Sequence, residues 1–340
     1  MNVRYQSYNL PFRYPFTISK GTKTHQSGLL VELEHFGIKG YGEAPAISYY
    51  DVTAEKMTGN LEAKKQFVTK FSFTDPERYW HYLHHLFPAN PFLVCALDMA
   101  GWDLFSKLKG KKLHELLKFK NEKDILTDYT IGIDDIEIMK SKMDEKPWPV
   151  YKIKLGTDKD IKIITELRKH TNSTFRIDAN AAWTAEEALE KINIFKDMNV
   201  ELVEQPLAKN DWEGMKFLYD HSPLTLFADE SCVNEHDVIK CKDHFHGINI
   251  KLTKCSGITP AIRMIKQARE SGLKIMMGSM NESYTGSAAI AQLSLAADFT
   301  DADGPLLLEE NIGEGIKYDN GKIILPDFTG NGVLINEFLK

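Results

Sequence analysis

Two lysines two residues apart, Lys152 and Lys154, sit in the apolar, β-prone stretch 149–155. Residues two apart on a strand point to the same face, so the two ammonium groups stand side by side. A solvated edge strand would carry such a pair without consequence, because lysines on edges block strand-to-strand association. Inside a site the pair has a use. One ammonium lowers the pKa of the other, and a lysine so lowered is a general base.

Three acidic residues follow at near-equal intervals: Asp178, Glu204 and Asp229 are 26 and 25 residues apart. Each closes a short apolar run of strand type. Any one of them alone is readily explained as a helix N-cap. Three in successive repeats, on strand ends that face one mouth, would converge and repel. A hard divalent cation compensates them, and Mg²⁺ takes oxygen ligands in an octahedral shell. Asn180, Gln205 and Glu230, next to these residues in sequence, are suited to hold the ligands from outside. Lys251, on the run Asn249-Ile-Lys251, comes four repeats after Lys154. Strands two and six of an eight-stranded barrel are opposed, so Lys154 and Lys251 would approach a substrate from its two sides. That set removes a proton α to a carboxylate and returns one on the other face, through an enediolate whose charge the metal stabilises. Lys152 and the metal supply the positive field that lowers both lysines towards about 7–8. Lys254 is expected in a loop, facing solvent.

The elements that must position these groups are legible in order. Residues 4–10, 28–34 and a segment after the turn at 37–40 read as strands, with a polar loop at 19–25. Helical patterns follow, with Thr53 and Asp75 as N-caps, Pro76 in a first turn and a buried helix over 91–109. From residue 126 onward short strands alternate with amphipathic helices, beginning at 126–133, 150–155 and 175–178, and ending at 304–308. Eight strands, the first seven each followed by a helix, predict a parallel (β/α)7β barrel of TIM type; an open doubly wound sheet would fit seven or fewer strands about as well. The expected organisation is an α+β capping domain over 1–120, a modified barrel over 121–308, and a tail, 309–340, that returns to the cap. An Asn-Gly hairpin at 318–325 is expected to pack there.

The bulk properties narrow the class. A formal net charge of −6 with no basic block argues against a nucleic-acid partner. No apolar run approaches the ~20 residues of a membrane span. Residues 1–7 hold no apolar core of a secretory signal, and the four scattered cysteines read as free thiols. The expectation is a cytoplasmic protein.

Taken together, Lys152-Ile-Lys154, Asp178, Glu204-Gln-Pro, Asp229-Glu-Ser and Asn249-Ile-Lys251 resemble the enolase superfamily, in its muconate-lactonizing subgroup. The likeness runs over nearly the whole chain and includes Tyr41-Gly-Glu-Ala44. Within the subgroup the chain is most similar to the dipeptide epimerases. Met277-Gly-Ser-Met280 with Glu282-Ser resembles their seventh-strand segment, and Asp301-Ala-Asp303 resembles their D-x-D motif. The resemblance implies Mg²⁺ on Asp178, Glu204 and Asp229, with Lys154 and Lys251 as the acid–base pair. It places Lys23, Thr130, Lys152, Met280, Asp301 and Asp303 around a dipeptide, the D-x-D carboxylates on its α-ammonium. The two aspartates would otherwise cap the turn before Gly304-Pro305. Residues 19–25 are implied to close over the substrate. Lys23 stands where several members carry an arginine for a side-chain carboxylate, and it lacks the planar fork of that residue. Asn281 departs from the apolar residue expected there. Both departures leave the preferred dipeptide open. Homo-oligomers occur in the family, and nothing in the sequence fixes one. An o-succinylbenzoate synthase or muconate cycloisomerase of the same subgroup is the alternative, and neither needs an ammonium site. A non-catalytic binding protein on this scaffold is the remote one.

Overall fold

Residues 2–45 form one antiparallel sheet, whose first strand carries large apolar residues at alternate positions such as Tyr8, Leu10 and Phe12. Strands β1 (Asn2–Ile18), β2 (Gly21–His35) and β3 (Ile38–Pro45) pair in sequence order. The protein is described by a computed structural model covering residues 1–120 and 122–335. Residue 121, at which the barrel is expected to begin, and residues 336–340 of the tail lie outside the described residues.

The period of two is visible in the burial of β2. Leu29, Val31 and Leu33 enter one core with the helices of residues 54–108, while Leu30 joins the larger core of the barrel. Gly42 of β3 lies against helix Pro91–Leu108 so closely that a Cβ would fall 2.2 Å from the Ala96 carbonyl oxygen. Thr53 and Asp75 accept backbone N–H groups of Lys56 and Arg78 as N-caps, and Pro76 opens its helix.

The segment 19–25, expected as a loop, is mostly strand. β1 and β2 run on as a projecting hairpin, with Phe16, Thr17 and Ile18 opposite Lys23, Thr22 and Gly21. Its residues are too polar to announce a strand by hydrophobic alternation, and the ladder to β1 supplies what local pattern does not.

Strands β4 (Ile125–Leu126), β5 (Tyr129–Ile131), β6 (Val150–Lys154), β7 (Thr174–Asp178), β8 (Val200–Glu204), β9 (Thr225–Ala228), β10 (Gly247–Lys251), β11 (Lys274–Gly278) and β12 (Phe299–Asp301) follow. β5 to β12 pair in order in one eight-stranded parallel sheet. A parallel bridge between Thr127 and Thr300 brings its two edges together into a nearly closed barrel. The last strand of the barrel is β12 and not 304–308. Pro305 stands in the first turn of a short helix, Gly304–Leu307, where its fixed φ is welcome and its missing N–H costs nothing. The first expected strand, 126–133, is divided into β4 and β5.

The Asn320-Gly321 turn joins β13 (Lys317–Asp319) to β14 (Lys322–Ile324). β14 pairs with β4 and not with the N-terminal sheet, correcting the expected docking of this hairpin. Further along, Asn331 reaches helix Pro91–Leu108, where its backbone N–H donates to Asp103.

Buried carboxylates join the N-terminal unit to the barrel. Asp98 accepts the backbone N–H and hydroxyl of Thr259, at 2.9 and 2.7 Å, in the first turn of helix Ile258–Glu270. Glu43 accepts from Gly286 N–H and the Ser283 hydroxyl at the start of helix Tyr284–Ser294. Burial pushes both carboxyls up to about 7, and that of Glu282 up to about 8.

A group whose folded pKa is raised binds more protons in the native state, so stability falls as pH rises from its unfolded to its folded value. Stepped-pH thermal unfolding should therefore show these carboxyls lowering Tm between about pH 4 and pH 7. Glu43→Gln should flatten that slope. An identical slope in the variant would remove Glu43 as its source.

Candidate active site

The strand ends carry the chemistry into one place. Lys154, Asp178 and Glu204 are in register on β6, β7 and β8, and Lys251, Gly278 and Asp301 are in register on β10, β11 and β12. Asp229 follows β9 directly. Lys154 and Lys251 stand four strands apart in the eight-stranded order, and both line the main cavity.

Each lysine faces a carboxylate. Lys154 Nζ donates to Asp178 at 2.6 Å, and Lys251 Nζ to Asp229 Oδ2 at 2.7 Å. Lys152 is fully enclosed and does not line the cavity; its ammonium lies 2.7 Å from both Glu204 and Asp301 and 3.4 Å from Asp178. It joins the three-carboxylate cluster to the D-x-D segment.

Asp178, Glu204 and Asp229 are buried, and each offers an oxygen within 4.8 Å of the others. The donor set is all hard oxygen, as Mg²⁺ demands. Among the described residues Glu204 Oε2 has its ion pair to Lys152 but no hydrogen bond, and Asn180 Oδ1 and Glu230 Oε2 are also buried acceptors without a donor. These oxygens suit a cation. Asn249 Nδ2 holds Glu204 Oε1 at 2.8 Å, and Gly278 leaves room for that amide, since a Cβ there would meet Asn249 Oδ1 at 2.2 Å. Gln205 accepts the backbone N–H groups of Asp229 and Ser231 at 3.0 Å.

Lys154 and Lys251 are the lysines expected at lowered pKa, with Lys152 as a source of the lowering field. For Lys152 and Lys251 burial does pull down, but neighbouring carboxylates outweigh it: Asp301 and Glu204 raise Lys152, and Asp229 and Glu204 raise Lys251. Burial and the field of Asp178 and Asp229 in turn push Glu204 up to about 7, against the pull of Lys152. A divalent cation held by the three carboxylates would offset the carboxylate field that raises Lys251.

On the far side of the mouth stand Asp301 and Asp303. Asp303 accepts the Thr130 backbone N–H at 2.6 Å, and the Thr130 side chain lines the cavity. Burial and the charge of Asp301 push Asp303 up to about 7. Asp128 lies beneath them, paired with Arg176 at 3.0 Å. Neither residue of that pair was singled out in the sequence. Arg176 is a lone charge within β7 and Asp128 lies in the short link between β4 and β5, so neither shows the paired charges on one face that mark Lys152.

The N-terminal unit supplies the roof. Phe16, Ile18, Ile47, Tyr49 and Tyr50 line the cavity with Lys23, Met280 and Asn281. Lys20 at the hairpin tip donates to Glu230 at 2.9 Å and lies over the Tyr49 ring. No motif announces these roof residues, because their role depends on how the two units dock. Lys254 contradicts its expected place. It is buried behind Asp229, because the chain after β10 turns back as one helical turn instead of leaving as a loop.

Among the described residues no helix is long and apolar enough to cross a membrane. Residues 1–118 match the mandelate racemase / muconate lactonizing enzyme N-terminal domain, and residues 135–339 match the enolase C-terminal domain-like family. The chain is 47% identical over 338 residues to an L-Ala-D/L-amino acid epimerase of Maribacter sp., covering 99% of this chain and all of that one. It is 45% identical to the protein of the same name in Flavobacterium johnsoniae, over 98% of this chain and 100% of that one. The crystal structure of a dipeptide epimerase from Cytophaga hutchinsonii, complexed with Mg and D-Ala-L-Val, superposes with a TM-score of 0.92 at 26% identity, covering 98% and 95% of the two chains. With both family domains present and the acidic cluster at three successive strand ends, the chain belongs to the enolase superfamily, on its mandelate racemase / muconate lactonizing enzyme side.

Proposed function

We propose that this protein is a Mg²⁺-dependent dipeptide epimerase, an isomerase that inverts the α-carbon of the C-terminal residue by 1,1-proton transfer. The observation that carries the reading is the pair Lys154 and Lys251, on opposite strands of the barrel with three converging carboxylates between them. In this reading residues 1–120 are the cap, joined by the part of the tail that carries Asn331, and 121–308 are the catalytic barrel, with the tail hairpin laid on β4.

Asp178, Glu204 and Asp229 hold the cation, with Lys152 beneath them. When bound, Mg²⁺ neutralises charge that develops on the substrate carboxylate as the α-proton leaves. One lysine of the pair, in its neutral form, takes that proton from one face. The other, protonated, delivers a proton to the opposite face. Asp301 and Asp303 receive the α-ammonium of the first residue. An arriving ammonium pulls the raised Asp303 carboxyl back to its charged form. The carboxylate pair has no counterpart need in a muconate or succinylbenzoate substrate, which favours a dipeptide. The roof residues exclude water, and the four free thiols suit a cytoplasmic location.

The relatives' names support alanine in the first position and a varied second residue. The second side chain meets an aromatic and aliphatic roof together with Lys23. That lysine is largely buried, its pKa lowered by burial, and among the described residues it has no ion-pair partner. It admits acidic second residues without requiring them.

The reading is tested with a dipeptide library in D₂O containing Mg²⁺, following α-deuterium by mass spectrometry. Incorporation at the second residue of L-Ala dipeptides is expected. Silence across the whole library sinks the epimerase and brings succinylbenzoate chemistry forward. Lys23→Met should lower kcat/KM for L-Ala-L-Glu by about 10-fold, the worth of one exposed-to-buried charge contact, and leave L-Ala-L-Val nearly unchanged.

A further inference from the structure

Lys254 takes no part in the proton transfer described above, yet its surroundings are closely specified. Its side chain is 1% exposed. The ammonium donates to Asp229 Oδ1 at 2.5 Å, to the Asp229 carbonyl at 2.6 Å and to the Asn249 carbonyl at 3.1 Å. A lysine has three N–H donors, so every one is placed. The acceptors belong to Asp229, just past β9, and to Asn249, within the neighbouring β10, and the lysine ties them together.

The other oxygen of Asp229, Oδ2, is turned towards Lys251, which lines the cavity. The carboxylate is therefore gripped at the back by Lys254 and presents one oxygen forward. The turn that carries Lys254 is itself fixed. Ser256 and Gly257 take positive φ values of 73° and 130°, and a Cβ on Gly257 would fall 2.3 Å from Asp98 Oδ2. From the cap, Trp80 Nε1 donates to the Ser256 carbonyl at 3.0 Å.

We propose that Lys254 is a positioning residue for the cation site, holding Asp229 Oδ1 so that this ligand offers a single oxygen and selects Mg²⁺ over Ca²⁺. The inference rests on the cation reading of Asp178, Glu204 and Asp229. Its chemical basis is coordination number. Mg²⁺ demands near-ideal octahedral geometry with one oxygen from each carboxylate, whereas Ca²⁺ takes about six to eight oxygens and welcomes bidentate carboxylates.

A lysine that merely balanced the charge of Asp229 would act on the cation in the opposite sense. It would repel the ion, and its removal would tighten binding. The two roles differ in sign, so binding alone separates them.

The experiment is calorimetric titration of the full-length protein, without dipeptide, first with Mg²⁺ and separately with Ca²⁺. Wild type, Lys254→Met and Lys254→Gln are compared, with thermal unfolding as the check on folding. Lys254→Met should bind Mg²⁺ about 10–100-fold more weakly, the usual cost of losing a group that orients a ligand. Ca²⁺ should suffer less, so the preference between the ions narrows. Lys254→Gln, whose amide can still reach Oδ1, should fall between; should the methionine variant not fold, the glutamine variant carries the same sign. Unchanged or tighter Mg²⁺ binding in a folded variant overturns the positioning role. A wild type that binds neither ion overturns the cation reading with it, and that result is distinct from the first.

Discussion

Lys251→Ala should lower kcat for dipeptide epimerisation by about 10²–10⁴-fold, the range expected for a lost general acid–base. Lys154→Ala should do the same. The two variants differ in what survives. Because the lysines stand on opposite sides of the cavity, each variant keeps the base for one epimer and loses the base for the other. Deuterium exchange should persist from one configuration of the second residue in Lys251→Ala and from the other configuration in Lys154→Ala, without inversion in either. Mass spectrometry on each pure epimer reads this directly. Exchange from both configurations in one variant would show a single base serving both faces, against the two-base scheme. The removed ammonium also leaves Asp229 with Lys254 alone, or Asp178 with Lys152 alone, as ion-pair partner, so the comparison is made at saturating Mg²⁺, which supplies the missing charge.

The second large effect is expected at the cation ligands. Glu204→Gln keeps volume and one acceptor oxygen but removes a charge from the cluster. Its Mg²⁺ affinity should fall by more than the about 10–100-fold typical of losing an outer partner of a ligand, and turnover should fall with it. Glu204 is the informative ligand because Asn249 and Lys152 already position it, so the substitution changes charge more than place. The buried Lys152 ammonium then faces fewer anions, a penalty that thermal unfolding will register separately. Mg²⁺ binding at wild-type strength in a folded Glu204→Gln would take this residue out of the ligand set.

The parts of the fold that were legible in the sequence share a physical property: they depend on local pattern. The βα repeat shows in the alternation of short apolar strands with amphipathic helices, and the cation cluster shows because identical register repeats on adjacent strands. Lys152 and Lys154 stood out because two charges on one β-prone face need compensation. What failed depended on contacts distant in sequence. β12 is three residues long, and its neighbour β11 defines it more than its own composition does. The hairpin tip around Lys20 is polar and becomes strand through its ladder. Lys254 looked like a solvent-facing lysine in a loop. Its burial follows from a turn held by Trp80 and Asp98, whose positions are set by the cap. The roof residues Tyr49 and Tyr50 carry no motif, since any aromatic pair could serve once the units dock.

The buried carboxylates at the seam have a consequence for how such proteins can be recombined. Asp98 and Glu43 belong to the N-terminal unit, yet they satisfy backbone N–H groups at the starts of two barrel helices, and Asp103 does so for the tail. A foreign cap lacking Asp98 or Glu43 would leave a helix end open in a dry interface, and one lacking Asp103 would leave the Asn331 N–H unpaired. The residues that shape the substrate pocket from above are thus inherited with their own barrel. Grafting a cap from a relative with another preference should succeed when the three acceptors travel with it, and yield a misassembled chain when they do not.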